Sequence, residues 1–303
     1  MGTRIDAIAT ASSRRGWFGR GGLPLSDSAA RACLSRAGRQ ADELDILINA
    51  GIYKTGNIAE PALASIIQED IGANPGHPPQ LHQHGTFSFD VVDGACGVIT
   101  AARLIDGLVG PGAARLGLIV AADADPAPRA SRSFPFGPAG GAMLLAHDDG
   151  DAGFQGFAVK TFPEDAGLFD ATIRWVPHAG LTRRGRNVLE VREDPAFATR
   201  CIEHATEVTA EFLAAAGLTA ADVDVLAASQ YPRAFARELA RRLGIDPAAV
   251  PQVADDLARA HSAGPIAALE AATISGRFAH ARHTLLVTAG AGITIAVALY
   301  RHA

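Results

Sequence analysis

Apolar and polar positions along the chain alternate between short buried-strand patterns and small-residue helical patterns, and two of these units occur twice. The segment Leu34-Ser-Arg-Ala-Gly-Arg-Gln-Ala-Asp-Glu-Leu-Asp45 lines up with Leu213-Ala-Ala-Ala-Gly-Leu-Thr-Ala-Ala-Asp-Val-Asp224. Each copy then enters an apolar run, Ile46-Leu-Ile in the first and Val225-Leu-Ala in the second. The pattern predicts a helix stopped at Gly38 or Gly217, a short turn and a buried strand. A second pair follows: Ala95-Cys-Gly-Val-Ile-Thr-Ala-Ala102 aligns with Ser262-Ala-Gly-Pro-Ile-Ala-Ala-Leu269, and Leu118-Ile-Val-Ala with Leu285-Leu-Val-Thr. Both copies read as a small-residue helix, a loop and a buried strand, which suggests two helices packed closely on a pseudo-dyad.

Strands alternating with helices imply α/β architecture with mainly parallel or mixed buried sheets. Gly and Asp accumulate from Gly150 to Glu164, so the chain divides into halves of residues 1–155 and 156–303. From Pro163 to Glu193 periodic signals are few, and a loop-rich surface connection is expected there.

Composition narrows the function classes. Hydrophobic content of 48% with 19% charged residues over 303 residues is that of a well-buried globular enzyme. A net charge of -5 without a dense Lys/Arg run gives no reason to expect nucleic acid. The short cluster Arg183, Arg184 and Arg186 reads as a solvated loop. Three scattered cysteines suit neither a disulfide framework nor a zinc site, and no metal is expected. His82 and His84 have metal-like spacing, but no nearby Cys or Glu completes a shell, so they read as loop; His178 falls in the irregular connection and His204 in a helix. There is neither a signal-peptide core nor a run of about 20 apolar residues, so a soluble cytoplasmic protein without membrane contact is expected.

The candidate chemistry centres on Cys96. In Phe89-Asp-Val-Val-Asp-Gly-Ala-Cys-Gly-Val-Ile-Thr100 a strand (Phe89 to Val92) runs through Gly94 into the cysteine and then a helix. A helix N-terminus lowers a thiol pKa and favours the thiolate, while Gly94 and Gly97 leave room for a thioester. Cys33 and Cys201 sit inside helical patterns and read as buried structural residues, so Cys96 is expected to be the reactive one.

Three motifs then carry a resemblance. Asp90-Val-Val-Asp-Gly-Ala-Cys-Gly97 resembles the nucleophile segment of the β-ketoacyl-acyl-carrier-protein synthase III family; Phe136-Gly-Pro-Ala-Gly-Gly-Ala-Met143 and Thr288-Ala-Gly-Ala-Gly-Ile-Thr294 are similar to its two glycine segments, in the family's order. The resemblance implies the thiolase-like five-layered α-β-α-β-α sandwich of two pseudo-symmetric halves. It implies that Cys96 attacks an acyl thioester of coenzyme A or acyl carrier protein, with no permanently bound cofactor. The backbone N–H groups of Cys96 and Ala291 would form the oxyanion hole, with Gly290 and Gly292 allowing close approach. A homodimer, or a heterodimer with a paralogue, joined through central sheets is implied as well. The N-terminal run Ser13 to Arg20 corresponds to the family's pantetheine entrance, where Arg14, Arg15 and Trp17 would touch a coenzyme or carrier-protein phosphate; a surface arm is the equal alternative.

The chain also departs from the family. The His-Gln-Ala-Asn segment corresponds to Ser229-Gln-Tyr-Pro232, so Ser229 replaces the histidine while Gln230 is kept. The family's second group, an Asn, falls on Arg259. These changes count against decarboxylative condensation. His261 precedes a small-residue helix and aligns through the internal repeat with Gly94, close to Cys96's position on the opposite half. A histidine there is suited to deprotonate Cys96 and then activate an acceptor hydroxyl or amine, oriented by Asp255 or Asp256; a helix-capping or buried structural role is the alternative. The resulting expectation is an acyltransferase that moves an acyl group through a Cys96 thioester to a small-molecule acceptor. A carbon–carbon condensing synthase and a weakly catalytic partner subunit of an active paralogue are the alternatives.

Overall fold

The structure, a computed structural model, describes residues 2–12, 21–54, 60–73, 85–127, 131–176 and 185–303, with the side chain of residue 186 outside the description. The first half runs β1 (Gly2–Ser12), α1 (Gly22–Ala37), β2 (Ile46–Asn49), α2 (Leu63–Ile71), β3 (Phe87–Asp90), α3 (Gly97–Val109), β4 (Leu116–Asp123) and β5 (Ala139–Asp148). The second runs β6 (Gly153–Thr161), β7 (Phe169–Val176), β8 (Arg186–Glu193), α4 (Phe197–Ala215), β9 (Val225–Ala228), α5 (Phe235–Leu243), α6 (Gly264–Ile274), α7 (Arg277–His280), β10 (His283–Gly290) and β11 (Thr294–Arg301).

Two mixed sheets result, ordered β1-β5-β4-β2-β3 and β6-β11-β10-β9. Strand for strand, β6, β11, β10 and β9 repeat β1, β5, β4 and β2. The repeated sequence explains this. Gly38 and Gly217 both adopt the left-handed conformation, φ 65 and 69, after α1 and α4. The repeated aspartates then do the same work: Asp45 Oδ2 accepts the N–H groups of Arg115 and Leu116, and Asp224 Oδ2 those of Arg282 and His283.

Strand parity divides the apolar side chains between layers. Ile48, Ile119 and Met143 from one sheet, and Ala227, Leu286 and Ala296 from the other, share a core with α3 and α6. Their alternate neighbours Leu47, Leu118 and Leu144 pack under α1 and α2, and Leu226, Leu285 and Val297 under α4 and α5. The outcome is the five-layered thiolase-like sandwich with α3 and α6 at its centre. Gly264 to Glu270 of α6 are all buried, as a helix between two sheets requires, and the small residues of both helices permit it.

Two expectations need correction. The strand before Cys96 is Phe87–Asp90; its last residue, Asp90, still pairs with Asn49 of β2 while its carboxylate accepts the N–H groups of Leu63 and Ala64 at the start of α2. The stretch from 163 to 193 is not loop alone: β7 and β8 form an antiparallel ribbon pinned by buried Phe169, Val188, Leu189 and Val191.

Candidate active site

Cys96 ends a 3-10 turn, Gly94–Cys96, and directly precedes the first residue of α3. Gly94 makes the turn possible with φ 53, a conformation costly for other residues. The thiol is fully buried. Its Sγ lies 3.3 Å from the Thr294 carbonyl oxygen, and a Cβ placed on Gly290 would stand 3.5 Å from it. The glycine therefore separates the sulfur from the space beyond.

That space is a cavity of about 250 Å³ walled by the rings of Tyr53, Phe136, Phe169 and Tyr231 and lined also by Gly94, His261, Gly290 and Ala291. It brings His261 and the C-terminal glycine loop together beside the turn that carries Cys96. Gly292, at φ 97, closes the hairpin between β10 and β11. Arg14, Arg15, Trp17, His82, His84, His178, Arg183 and Arg184 lie outside the described residues.

His261 is oriented by Asp123, a residue the sequence reading did not single out. Its Nδ1 lies 3.2 Å from Asp123 Oδ2, and its ring packs on Phe136 with centroids 4.2 Å apart. Asp123 ends β4 and also accepts the N–H groups of Ile52, Tyr53 and Ser262 and the Ser262 hydroxyl. Burial alone would raise this carboxyl; the hydrogen bond and charge of His261, with the Ser262 and Tyr53 donors, hold it well below the usual range. A carboxylate at Nδ1 keeps the proton there and leaves Nε2 as an acceptor. Asp255 and Asp256 do not orient His261: Asp255 lines a separate groove, and Asp256 accepts the Ser12 hydroxyl at 2.5 Å.

The thiol itself differs from expectation. Burial pushes Cys96 up to about 12, the same value burial gives Cys33, and all three cysteines are fully buried. Neither acidity nor exposure singles Cys96 out; its position beside the cavity does. Its amide is also engaged: the Cys96 N–H donates to the Asp93 carbonyl at 3.0 Å, closing the 3-10 turn rather than pointing to an oxyanion.

The remaining candidates scatter. Ser229 is buried and its hydroxyl accepts the Ala289 N–H at 3.2 Å. Gln230 donates to the Ala228 carbonyl at 2.9 Å, and both residues line the separate groove with Arg233 and Arg237. Arg259 reaches the loop before β5, donating to the Pro135 carbonyl. Among the described residues no helix is long and apolar enough to cross a membrane.

Residues 213–302 match the family model described as 3-oxoacyl-[acyl-carrier-protein] synthase III, C terminal. The β-ketoacyl-[acyl-carrier-protein] synthase III of Rhodospirillum rubrum is 29% identical over 292 residues, covering 91% of this chain and 83% of the relative. The crystal structure of the Thermus thermophilus synthase III superposes with a TM-score of 0.80 at 20% identity, covering 99% of both chains. Xanthomonas campestris OleA, solved with lauric acid and lauroyl-CoA, gives 0.78 at 16% identity, covering 100% of this chain and 99% of that one. By its sequence motifs and these relatives the chain is similar to the β-ketoacyl-acyl-carrier-protein synthase III proteins, and its fold is the thiolase-like sandwich they share.

Proposed function

We propose that the protein is a cytoplasmic acyltransferase that works through a Cys96 thioester, with His261 as its base. The donor is an acyl-coenzyme A or acyl-carrier-protein thioester, and the acceptor a small hydroxyl or amine compound. Residues 1–155 supply the nucleophile; residues 156–303 supply His261 and the glycine loop. In the first step His261 Nε2 takes the thiol proton while the sulfur attacks the thioester carbonyl. The Ala291 N–H faces the developing oxyanion, and the proton leaves with the departing thiol. In the second step the acceptor gives its proton to Nε2 and attacks the acyl carbon, and Cys96 departs and recovers the proton.

The observation that carries this reading is the Asp123–His261 pair on the cavity that also meets Gly94 and Gly290, the neighbours of Cys96. Ser229, in the place of the family's histidine, already accepts a backbone N–H and offers no cation for an enolate. The names of the curated relatives favour the second reading, decarboxylative condensation. Malonyl-coenzyme A with a labelled carboxyl separates the two. Acyl transfer predicts carbon dioxide release at background rate, and in His261→Ala some remaining, slower acylation of Cys96 with delivery slowed about 10²–10⁴-fold. Rapid Cys96-dependent release that is indifferent to His261→Ala would establish condensation instead.

A further inference from the structure

On β10 the side chains of Leu285, Val287 and Ala289 join the outer core, whereas Leu286 joins the central core that contains Cys96. Parity therefore turns Thr288 inward, toward the thiol. Thr288 is fully buried, opposite Ala296 of β11, and its hydroxyl has no hydrogen-bond partner among the described residues. Thr284, on the same face, bonds to His302 Nε2 at 2.9 Å. A buried hydroxyl left unpaired is destabilising, and valine would fill the same volume without that penalty. The hydroxyl lies near enough to Cys96 to act on its sulfur but forms no well-aligned hydrogen bond in the resting state.

Cys96 supplies a use for that hydroxyl. As a thiol its Sγ faces carbonyl oxygens, that of Thr294 at 3.3 Å and that of Thr288 at 3.9 Å, and donates toward them. Once the proton leaves, sulfur becomes an acceptor; the carbonyl oxygens cannot donate to it, the backbone N–H groups of Gly290 and Ala296 can, and Thr288 adds a side-chain donor. Resting on the assignment of Cys96 as nucleophile, we propose that Thr288 is a positioning residue whose hydroxyl donates to the Cys96 thiolate, both when it forms and when it departs from the acyl-enzyme. The thiol proton goes to the base, and Thr288 keeps its own. The Thr288 hydroxyl acts on the thiol in the required direction, downward, against the larger upward effect of burial. The other ionisable groups are Asp93, before the 3-10 turn, which opposes the thiolate and accepts the Thr100 hydroxyl; Cys201 on α4; and His261 across the cavity. β10 and β11 add only backbone there.

The test compares wild type with Thr288→Val, Thr288→Ala and Thr288→Ser. Iodoacetamide labelling of the Cys96 peptide is followed against pH, with the Cys33 peptide as internal control, and acetyl-coenzyme A reports acylation by mass. Thr288→Val should keep or raise the thermal midpoint, yet slow Cys96 labelling at neutral pH about ten- to a hundredfold by moving the profile to higher pH. Thr288→Ala should show the same shift, Thr288→Ser should restore the profile, and Cys33 should not change. Superimposable wild-type and Thr288→Val profiles, with wild type acetylated on Cys96, overturn the role of Thr288 alone. Wild type that gains no acetyl mass on Cys96 overturns the nucleophile, and the proposal with it.

Discussion

At Asp123 one carboxylate fixes two chain segments: the loop after β2 through Ile52 and Tyr53, and the turn before α6 through Ser262 and the ring of His261. Leaving a buried donor unsatisfied costs about 1–3 kcal/mol, and Asp123→Asn, which cannot accept all of these hydrogen bonds, should lose stability on at least that scale. The pH dependence has a definite sign. Because the folded-state pKa is depressed, the carboxylate's contribution is complete above the unfolded value of about 4 and declines as pH falls below it. The gap in thermal midpoint between wild type and Asp123→Asn should therefore be full at pH 5 and shrink toward pH 3. A gap that is absent at pH 5 would dismiss the carboxylate as a structural centre. The sequence motifs pointed to Cys96 and His261 but not to Asp123, which lies 138 positions from its histidine. A signal existed: the repeat that pairs Val120 with Val287 also pairs Asp123 with Gly290, the residue beside the thiol. Thiol acidity was misread for a reason of magnitude. A helix terminus contributes up to about 2 kcal/mol, whereas full burial shifts a pKa by up to about 3–5 units, and sequence shows the helix start but not the burial.

At the scale of elements, the two central helices begin in the same way. A Cβ on Gly97 would stand 3.1 Å from the Ala50 Cβ after β2, and one on Gly264 would stand 2.9 Å from the Gln230 backbone nitrogen after β9. The first contact is tight and the second is a clash with main chain. Gly264→Ala should thus destabilise the fold by about 1–3 kcal/mol and Gly97→Ala by less, read from urea denaturation midpoints. Equal stability of Gly264→Ala and wild type would mean that the helix and β9 are free to separate. This layer was legible beforehand, since glycine followed by small residues recurs in register at Gly97 and Gly264. The β7–β8 ribbon was not. Along β7, Phe169, Ala171, Ile173 and Trp175 alternate with Asp170, Thr172 and Arg174, but Ile173 and Trp175 are 50% and 63% exposed and only Phe169 is buried.

At the scale of the whole molecule, the five layers follow from the doubled strand–helix pattern, but assembly does not, because it depends on one edge. β3 pairs with β2 on one side only and ends its sheet among the described strands. Phe87 on that strand is 62% exposed and Val92 just beyond it 71%. An unpaired edge flanked by large apolar side chains invites a second strand, and a second copy of β3 across a two-fold axis satisfies both copies at once. The family resemblance implies joining through central sheets, and the same strand begins the turn that carries Cys96, so such a dimer would brace the site. Covering a Phe side chain is worth about 1.5–3 kcal/mol, and the two-fold doubles it. Phe87→Arg should therefore weaken self-association at least about a hundredfold. Light scattering across a dilution series reads both predictions, with wild type at twice the monomer mass and Phe87→Arg dissociating at much higher concentration. A wild-type monomer at every concentration would leave Phe87 and Val92 without a partner of this chain's own kind and would require the site to stand without that brace.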